Sequence, residues 1–209
     1  MKRACRLFAG AAVLAGVMLP PATAGLPGAD ESAFIRQQPS ADAREVMEWV
    51  AREADNKGLP FMIIDKKNAR LFVFGPDARF IGSAPVLLGS AKGDDTTPGI
   101  GDKKLSEIKP EERTTPAGRF QAEVGRNARG EDVVWVDYNA GVSMHRVITS
   151  DPAEQRLERL ATPSVADNRI SYGCINVPKA FFENVLNKAI NGGNSVVYVL
   201  PEVKPLASV

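Results

Sequence analysis

The chain has 209 residues, 44% of them hydrophobic and 24% charged, which fits one globular domain with extensions and excludes wholesale disorder. Twenty-six basic residues against 25 acidic ones leave a net charge of +1, so there is no basic excess to act as a nucleic-acid footprint. Two cysteines and a single histidine give zinc clusters, haem motifs and disulfide frameworks almost nothing to build from, and no metal or other cofactor is expected.

Residues 1–24 have the layout of an export signal. Lys2, Arg3 and Arg6 make a basic start, residues 7–19 are an unbroken run of 13 apolar or glycine residues, and Ala22-Thr23-Ala24 supplies a small-residue cleavage pattern. Thirteen residues are too few to span a bilayer, and Pro20 and Pro21 close the run. Cleavage after Ala24 leaves 185 residues with a net charge of −2, one cysteine, Cys174, and one histidine, His145. The expected product is an exported protein of the periplasm or cell envelope, a monomer without a stable membrane span. Exported cysteines usually occur in pairs, so an unpaired one suggests a reactive thiol or an intermolecular bond, against the plain reading of a small buried hydrophobe.

Residues 25–40 are rich in Gly, Pro and polar residues without a period and read as a flexible linker. From Ala41 the apolar positions Val46, Met47, Trp49, Val50 and Ala54 recur at helical spacing, with Ser40 as cap and Gly58 as stop, which predicts a packed N-terminal helix within 41–58. A domain follows over 59–201, with a tail at 202–209. Segments 61–65, 70–74, 79–88, 119–124, 132–138, 142–148 and 195–200 are short, rich in Val, Ile, Leu and Phe, and bounded by turn residues, which predicts strands. The fold class is therefore mainly β with accessory helices, a β-sandwich or barrel-like domain. Further helices are expected at 152–161, where Asp151, Pro152 and Glu154 suit a helix start, and from Pro178 to about Ala189. Residues 91–113, 11 of them charged, predict a solvated excursion between two strands that is either a functional lid or simply mobile.

The chemistry centres on the run from Arg169 to Pro178. Gly173 permits a backbone conformation closed to other residues, and Pro178 marks a helix start, so Cys174 is expected just ahead of a helix N-terminus, where a thiolate is favoured. The amides of Tyr172, Gly173 and Cys174 could face a developing oxyanion. A nucleophilic cysteine needs a base, and His145 is the single imidazole. In strand 142–148, alternation puts Ser143, His145 and Val147 on one face and Met144 and Arg146 on the other. A lone strand histidine is ordinarily structural; its company with a lone exported cysteine is what argues for chemistry.

Ser171 to Asn176, the upstream His145 and the stretch Thr115-Pro116-Ala117-Gly118-Arg119-Phe120 together resemble the L,D-transpeptidase catalytic domain of the YkuD type, over about 61–201. The family motif is a histidine, a spacer, then Ser/Thr-His-Gly-Cys-hydrophobic-Asn or Arg, which Ser171, Gly173, Cys174, Ile175 and Asn176 match. Tyr172 stands where the family has a substrate-binding histidine, and the 25 residues between His145 and Ser171 exceed the usual spacer. The resemblance implies a β-sandwich of mixed sheets and peptidoglycan biosynthesis, with Cys174 as nucleophile and His145 as base. The thiol would take the acyl group of a tetrapeptide stem and pass it to an amine, as a 3→3 cross-link or by D-amino acid exchange. Transfer to water would make the enzyme a carboxypeptidase or endopeptidase, and a non-catalytic wall-binding module is a further alternative. By the same analogy the Arg146 carbonyl would orient His145, while Arg146, Arg169 and Tyr172 would meet the substrate, the arginines through its carboxylates.

Overall fold

The computed structural model describes residues 28–208; the export-signal features at residues 1–24 lie outside them. Two helices open the described chain, α1 (Gly28–Ile35) and α2 (Ala41–Glu53). α2 begins as its sequence predicts, with the Ser40 hydroxyl accepting the Ala43 amide at 3.1 Å, and buries Ala43, Val46, Met47 and Val50 on one face. It stops earlier than Gly58 suggests, because Ala54 turns into the left-handed region at φ 53°. α1 falls within the stretch read as a linker. Its anchor is Phe34, fully buried with ring centroids 5.1 Å from Phe72 and 5.4 Å from Phe74, a burial that contributes about 2–3 kcal/mol. One aromatic in a Gly/Pro-rich context gives no period, so this helix left no sequence pattern.

The fold is mainly β, with mixed sheets and accessory helices. Ten strands follow: β1 (Phe61–Asp65), β2 (Arg70–Phe74), β3 (Phe80–Pro85), β4 (Leu88–Gly89), β5 (Gly118–Arg126), β6 (Asp132–Asp137), β7 (Val142–Arg146), β8 (Arg169–Ser171), β9 (Ile175–Val177) and β10 (Asn194–Val199). Eight form one sheet in the order β3-β2-β1-β10-β5-β6-β7-β9, with β1·β10 and β7·β9 parallel and the other pairs antiparallel. β4 and β8 make a small parallel pair. Just past β3, Leu87 exchanges backbone hydrogen bonds of 3.0 and 2.9 Å with Asn176 of β9, joining the chain beyond one edge strand to the other edge strand.

Strands β1, β2 and β10 are apolar at almost every position because they are covered on both faces. Met62, Ile64, Leu71, Val73, Val197 and Val199 enter one core, shared with Val134, Met144 and Ile175. Phe61, Ile63, Phe72, Phe74, Val196 and Tyr198 enter a second core under α1 and α2.

The insertion between β7 and β8 is not one continuous helix. A 3₁₀ turn, Pro152–Glu154, capped by Asp151, breaks at Gln155 (φ 48°) before α3 (Arg156–Ala161). The C-terminal helix runs as α4 (Lys179–Phe181), a π segment (Phe182–Leu186) and α5 (Asn187–Ile190), and pins Phe182, Leu186 and Ile190 in the first core. Residues 91–113 are more ordered than their charge suggests, with three 3₁₀ turns and Ile100 and Ile108 buried. The start of the expected tail is also built in, since Asp94 accepts the amides of Glu202, Val203 and Lys204.

Candidate active site

Strand β7 carries His145. Met144 is buried in the core, so its neighbours Ser143 and His145 take the opposite side, as alternation predicts. His145 Nδ1 lies 2.7 Å from the Arg146 carbonyl oxygen. A carbonyl only accepts, so Nδ1 carries the proton and Nε2 is left to face the thiol. The Arg146 carbonyl thus holds the ring from its Nδ1 side.

Cys174 sits between β8 and β9. Its thiol is half-buried, 3.5 Å from the Gly141 carbonyl and 3.8 Å from Ser143 Oγ. Ser171 shapes the turn: its hydroxyl donates to the Cys174 carbonyl at 2.6 Å and accepts the Gly173 amide at 3.1 Å. Gly173 has φ 129°, and a Cβ there would stand 2.7 Å from the Thr114 carbonyl oxygen, so both conformation and space require glycine. Asn176 donates to the Cys174 carbonyl at 3.4 Å and accepts from Arg156 Nη1 at 2.7 Å, which ties the insertion to the motif.

Burial pushes the Cys174 thiol up, but the hydrogen bond and charge of His145, followed by Ser143, outweigh burial and hold it below its ordinary value. Burial pushes His145 down, and the bond and charge of Cys174 with the Arg146 carbonyl overcome this against the opposing charge of Arg156, leaving the imidazole raised. Opposite shifts in two interacting groups favour thiolate and imidazolium as a pair. The source differs from the one expected. Strand β9 separates Cys174 from α4, a helix of three residues, so no helix terminus faces the thiol.

Other expected site residues are engaged elsewhere. Arg146 binds Glu183 at 3.0 Å and Asp132 at 3.1 Å, with its guanidinium 4.6 Å above the Phe182 ring. Arg169 grips Glu202 with two bonds, 3.1 and 2.6 Å, and is nearly buried. Neither offers a free fork to a substrate carboxylate. The Gly173 amide already serves Ser171, which leaves the Tyr172 and Cys174 amides for an oxyanion role. Tyr172 is 37% exposed, and its ring packs under the Arg113 guanidinium at 4.1 Å, so the end of the 91–113 loop borders the site.

Three residues of the site had not been singled out for it. Ser143 was legible from strand alternation beside His145. Thr115, fully buried, donates to the Gly173 carbonyl at 2.9 Å and accepts the Gly89 amide at 2.9 Å; it lies in the stretch that carried the family resemblance, though not with this role. Arg156 gave no signal. A polar groove of about 610 Å3, bordered by Asp132, Arg146, Ser150, Lys179 and Glu183, opens beside His145. Another, of about 490 Å3, lies between Trp49 and Tyr198 and includes none of the site residues.

Among the described residues no cluster of three His, Cys, Asp or Glu could hold a metal ion, and no helix is long and apolar enough to cross a membrane. No family model matches the chain, and no curated protein matches it. Among solved structures, that of the LD transpeptidase LdtMt1 in complex with imipenem is similar at a TM-score of 0.39 and 16% sequence identity, over 68% of this chain and 58% of that chain. This chain thus spans less than two thirds of that one.

Proposed function

We propose that the protein is an L,D-transpeptidase that acts on peptidoglycan stem peptides through a Cys174 thioester. The observation that carries the reading is the histidine held by its Nδ1–H on the Arg146 carbonyl while its ring partners the Cys174 thiol. His145 Nε2 takes the thiol proton, and the thiolate attacks the carbonyl between the third residue of a tetrapeptide stem, a diamino acid, and its terminal D-alanine. The carbonyl oxygen becomes an oxyanion, which the Tyr172 and Cys174 amides would stabilise. As the tetrahedral adduct collapses, His145 returns its proton to the departing amine of D-alanine, leaving the thioester. A side-chain amine of a second stem then attacks that thioester, its proton passes to His145, and the thiolate is released with formation of a 3→3 cross-link. The same chemistry makes the thiol a target for acylation by a carbapenem, in keeping with the family resemblance.

Intact-protein mass spectrometry after mixing with a tetrapeptide stem tests the reading. The expected result is a mass increase equal to the acyl tripeptide, mapped to Cys174 and lost in Cys174→Ala; adding an amine acceptor should discharge it into a cross-linked product. A wild-type protein that acquires no adduct from stem peptide or carbapenem would overturn the proposal.

A further inference from the structure

Behind the Cys174 turn lies a buried charged cluster for which the reaction scheme has no use. Lys66, directly after β1, is wholly excluded from solvent. Its ammonium has three donors and meets three acceptors, the Gly93 carbonyl at 2.6 Å, Asp94 Oδ1 at 2.7 Å and the Thr115 carbonyl at 2.8 Å, with a Glu202 carboxylate oxygen at 3.7 Å. Arg169 Nη2 donates to the Lys66 carbonyl at 2.8 Å as well as to Glu202. Two cations and two carboxylates thus bind the β1–β2 turn, the entry to the 91–113 loop, Thr115, β8 and the start of the tail.

Stability alone is a weak reason to bury such a cluster, since well-packed apolar side chains of similar volume often serve as well. What the cluster holds is more telling. Thr115 receives Lys66 on its carbonyl and donates its hydroxyl to the carbonyl of Gly173, the residue before the nucleophile. On the same segment, the Thr114 carbonyl forms the wall that leaves Gly173 no room for a side chain. Arg169 grips the cluster from the first residue of β8, the strand that ends in Ser171. Both flanks of the turn are therefore referenced to one buried cluster, through Thr115 on one side and β8 on the other.

We infer that Lys66 is a positioning residue for the nucleophile, acting through Thr115 to set the Gly173–Cys174 turn against His145. The inference rests on Cys174 and His145 being the reacting pair. A displacement on the order of 1 Å at a reacting atom slows chemistry by roughly 100-fold, so the relay has to be stiff, and a cation saturated by three acceptors on two segments, with the Glu202 carboxylate of a third 3.7 Å away, is a stiff anchor.

The test is the pH dependence of Cys174 alkylation by iodoacetamide, which needs no stem peptide, together with the rate of acylation by a tetrapeptide stem. Lys66→Met and Thr115→Val are compared with Lys67→Met, a neighbouring lysine whose partner, Asp42, lies at the surface. Both relay variants should move the alkylation profile to more alkaline pH and lower kcat for acylation by about 10- to 100-fold with little change in KM; Lys67→Met should match wild type. A folded Lys66→Met with wild-type profile and kcat would overturn the inference. Should Lys66→Met not fold, Thr115→Val, which loses one hydroxyl at the end of the relay, decides by the same readouts. A wild-type thiol that titrates like free cysteine would instead defeat the Cys174–His145 pair, and a normal profile shift without stem acylation would defeat only the assigned substrate.

Discussion

Gly173→Ala isolates the constraint on which the Gly173–Cys174 turn depends. At φ 129° a side-chain-bearing residue is strained by about 1–3 kcal/mol, and the added Cβ would stand 2.7 Å from the Thr114 carbonyl oxygen, a backbone atom that no rotamer change can move. Thr114 cannot retreat easily either, because the next residue is held by Lys66 through its carbonyl and by Gly89 through its hydroxyl. The combined cost should be about 2–4 kcal/mol, a fall in Tm of roughly 5–15 °C for a chain of this length. Gly58→Ala supplies the control: its φ is 71°, but nothing lies within 4 Å of the added Cβ, so it should cost only about 1 kcal/mol. Thermal unfolding followed by circular dichroism measures both, and alkylation of Cys174 on the folded variants reports whether the turn has shifted. Equal losses for the two glycines, with unchanged thiol reactivity, would refute the claim that Thr114 is a rigid wall.

Other outcomes follow from the site and its support. His145→Gln removes the groups that hold the thiol down while burial continues to push it up, so the alkylation profile should move alkaline and the thiolate fraction at neutral pH should fall; an unmoved profile would rule out His145 as the partner. Tyr172→Phe keeps the ring that Arg113 covers, so it should change stability by less than about 0.5 kcal/mol and leave thiol acylation intact, with any loss confined to KM; loss of thiolate reactivity comparable to that of His145→Gln would put the phenol in the activating machinery. Asp94 is pushed up by burial but held at about 2 by Lys66 and three backbone amides, below its ordinary 3.8, so the folded state resists protonating it. Its contribution of about 2 kcal/mol is complete above pH ~4 and is lost as pH falls through ~2; urea unfolding of wild type and Asp94→Asn should converge over that range, and parallel curves would contradict the assignment.

The strands whose burial is written into their own residues were legible: β1, β2, β5, β6, β7 and β10 stand within a few residues of where composition and alternation place them. The two strands that frame Cys174 were not. Arg169–Ser171 and Ile175–Val177 have three residues each, too few to show a period, and they are extended because β4 and β7 pair with them from distant parts of the chain. Reading that segment locally put a helix next to Cys174 and assigned the thiolate to its dipole. The electrostatic partner is instead His145 on β7, the residue the sequence had offered as the thiol's base. Lys66 was invisible for a related reason, since a lysine at the end of an apolar strand reads as a solvated turn residue until the loop, β8 and the tail close over it.

The precision of the Cys174–His145 pair comes from the core rather than from the site itself. Met144 and Ile175, both fully buried, are register partners in the parallel β7·β9 pair, and His145 is aligned with Asn176 one step along. A slip of one residue in β7 would turn His145 into the core and Met144 toward the thiol, placing an imidazole among Val134, Val177 and Phe182, so apolar burial of Met144 selects the register that makes the pair. The polar contacts then act within that frame. The Arg146 carbonyl fixes the ring tautomer, Ser171 and Asn176 hold the Cys174 carbonyl, and Thr115 holds Gly173. A thiol between two three-residue strands would otherwise be free to move with its turn; clamped by hydrogen bonds on both sides of Cys174, it stays in reach of the one imidazole in the chain.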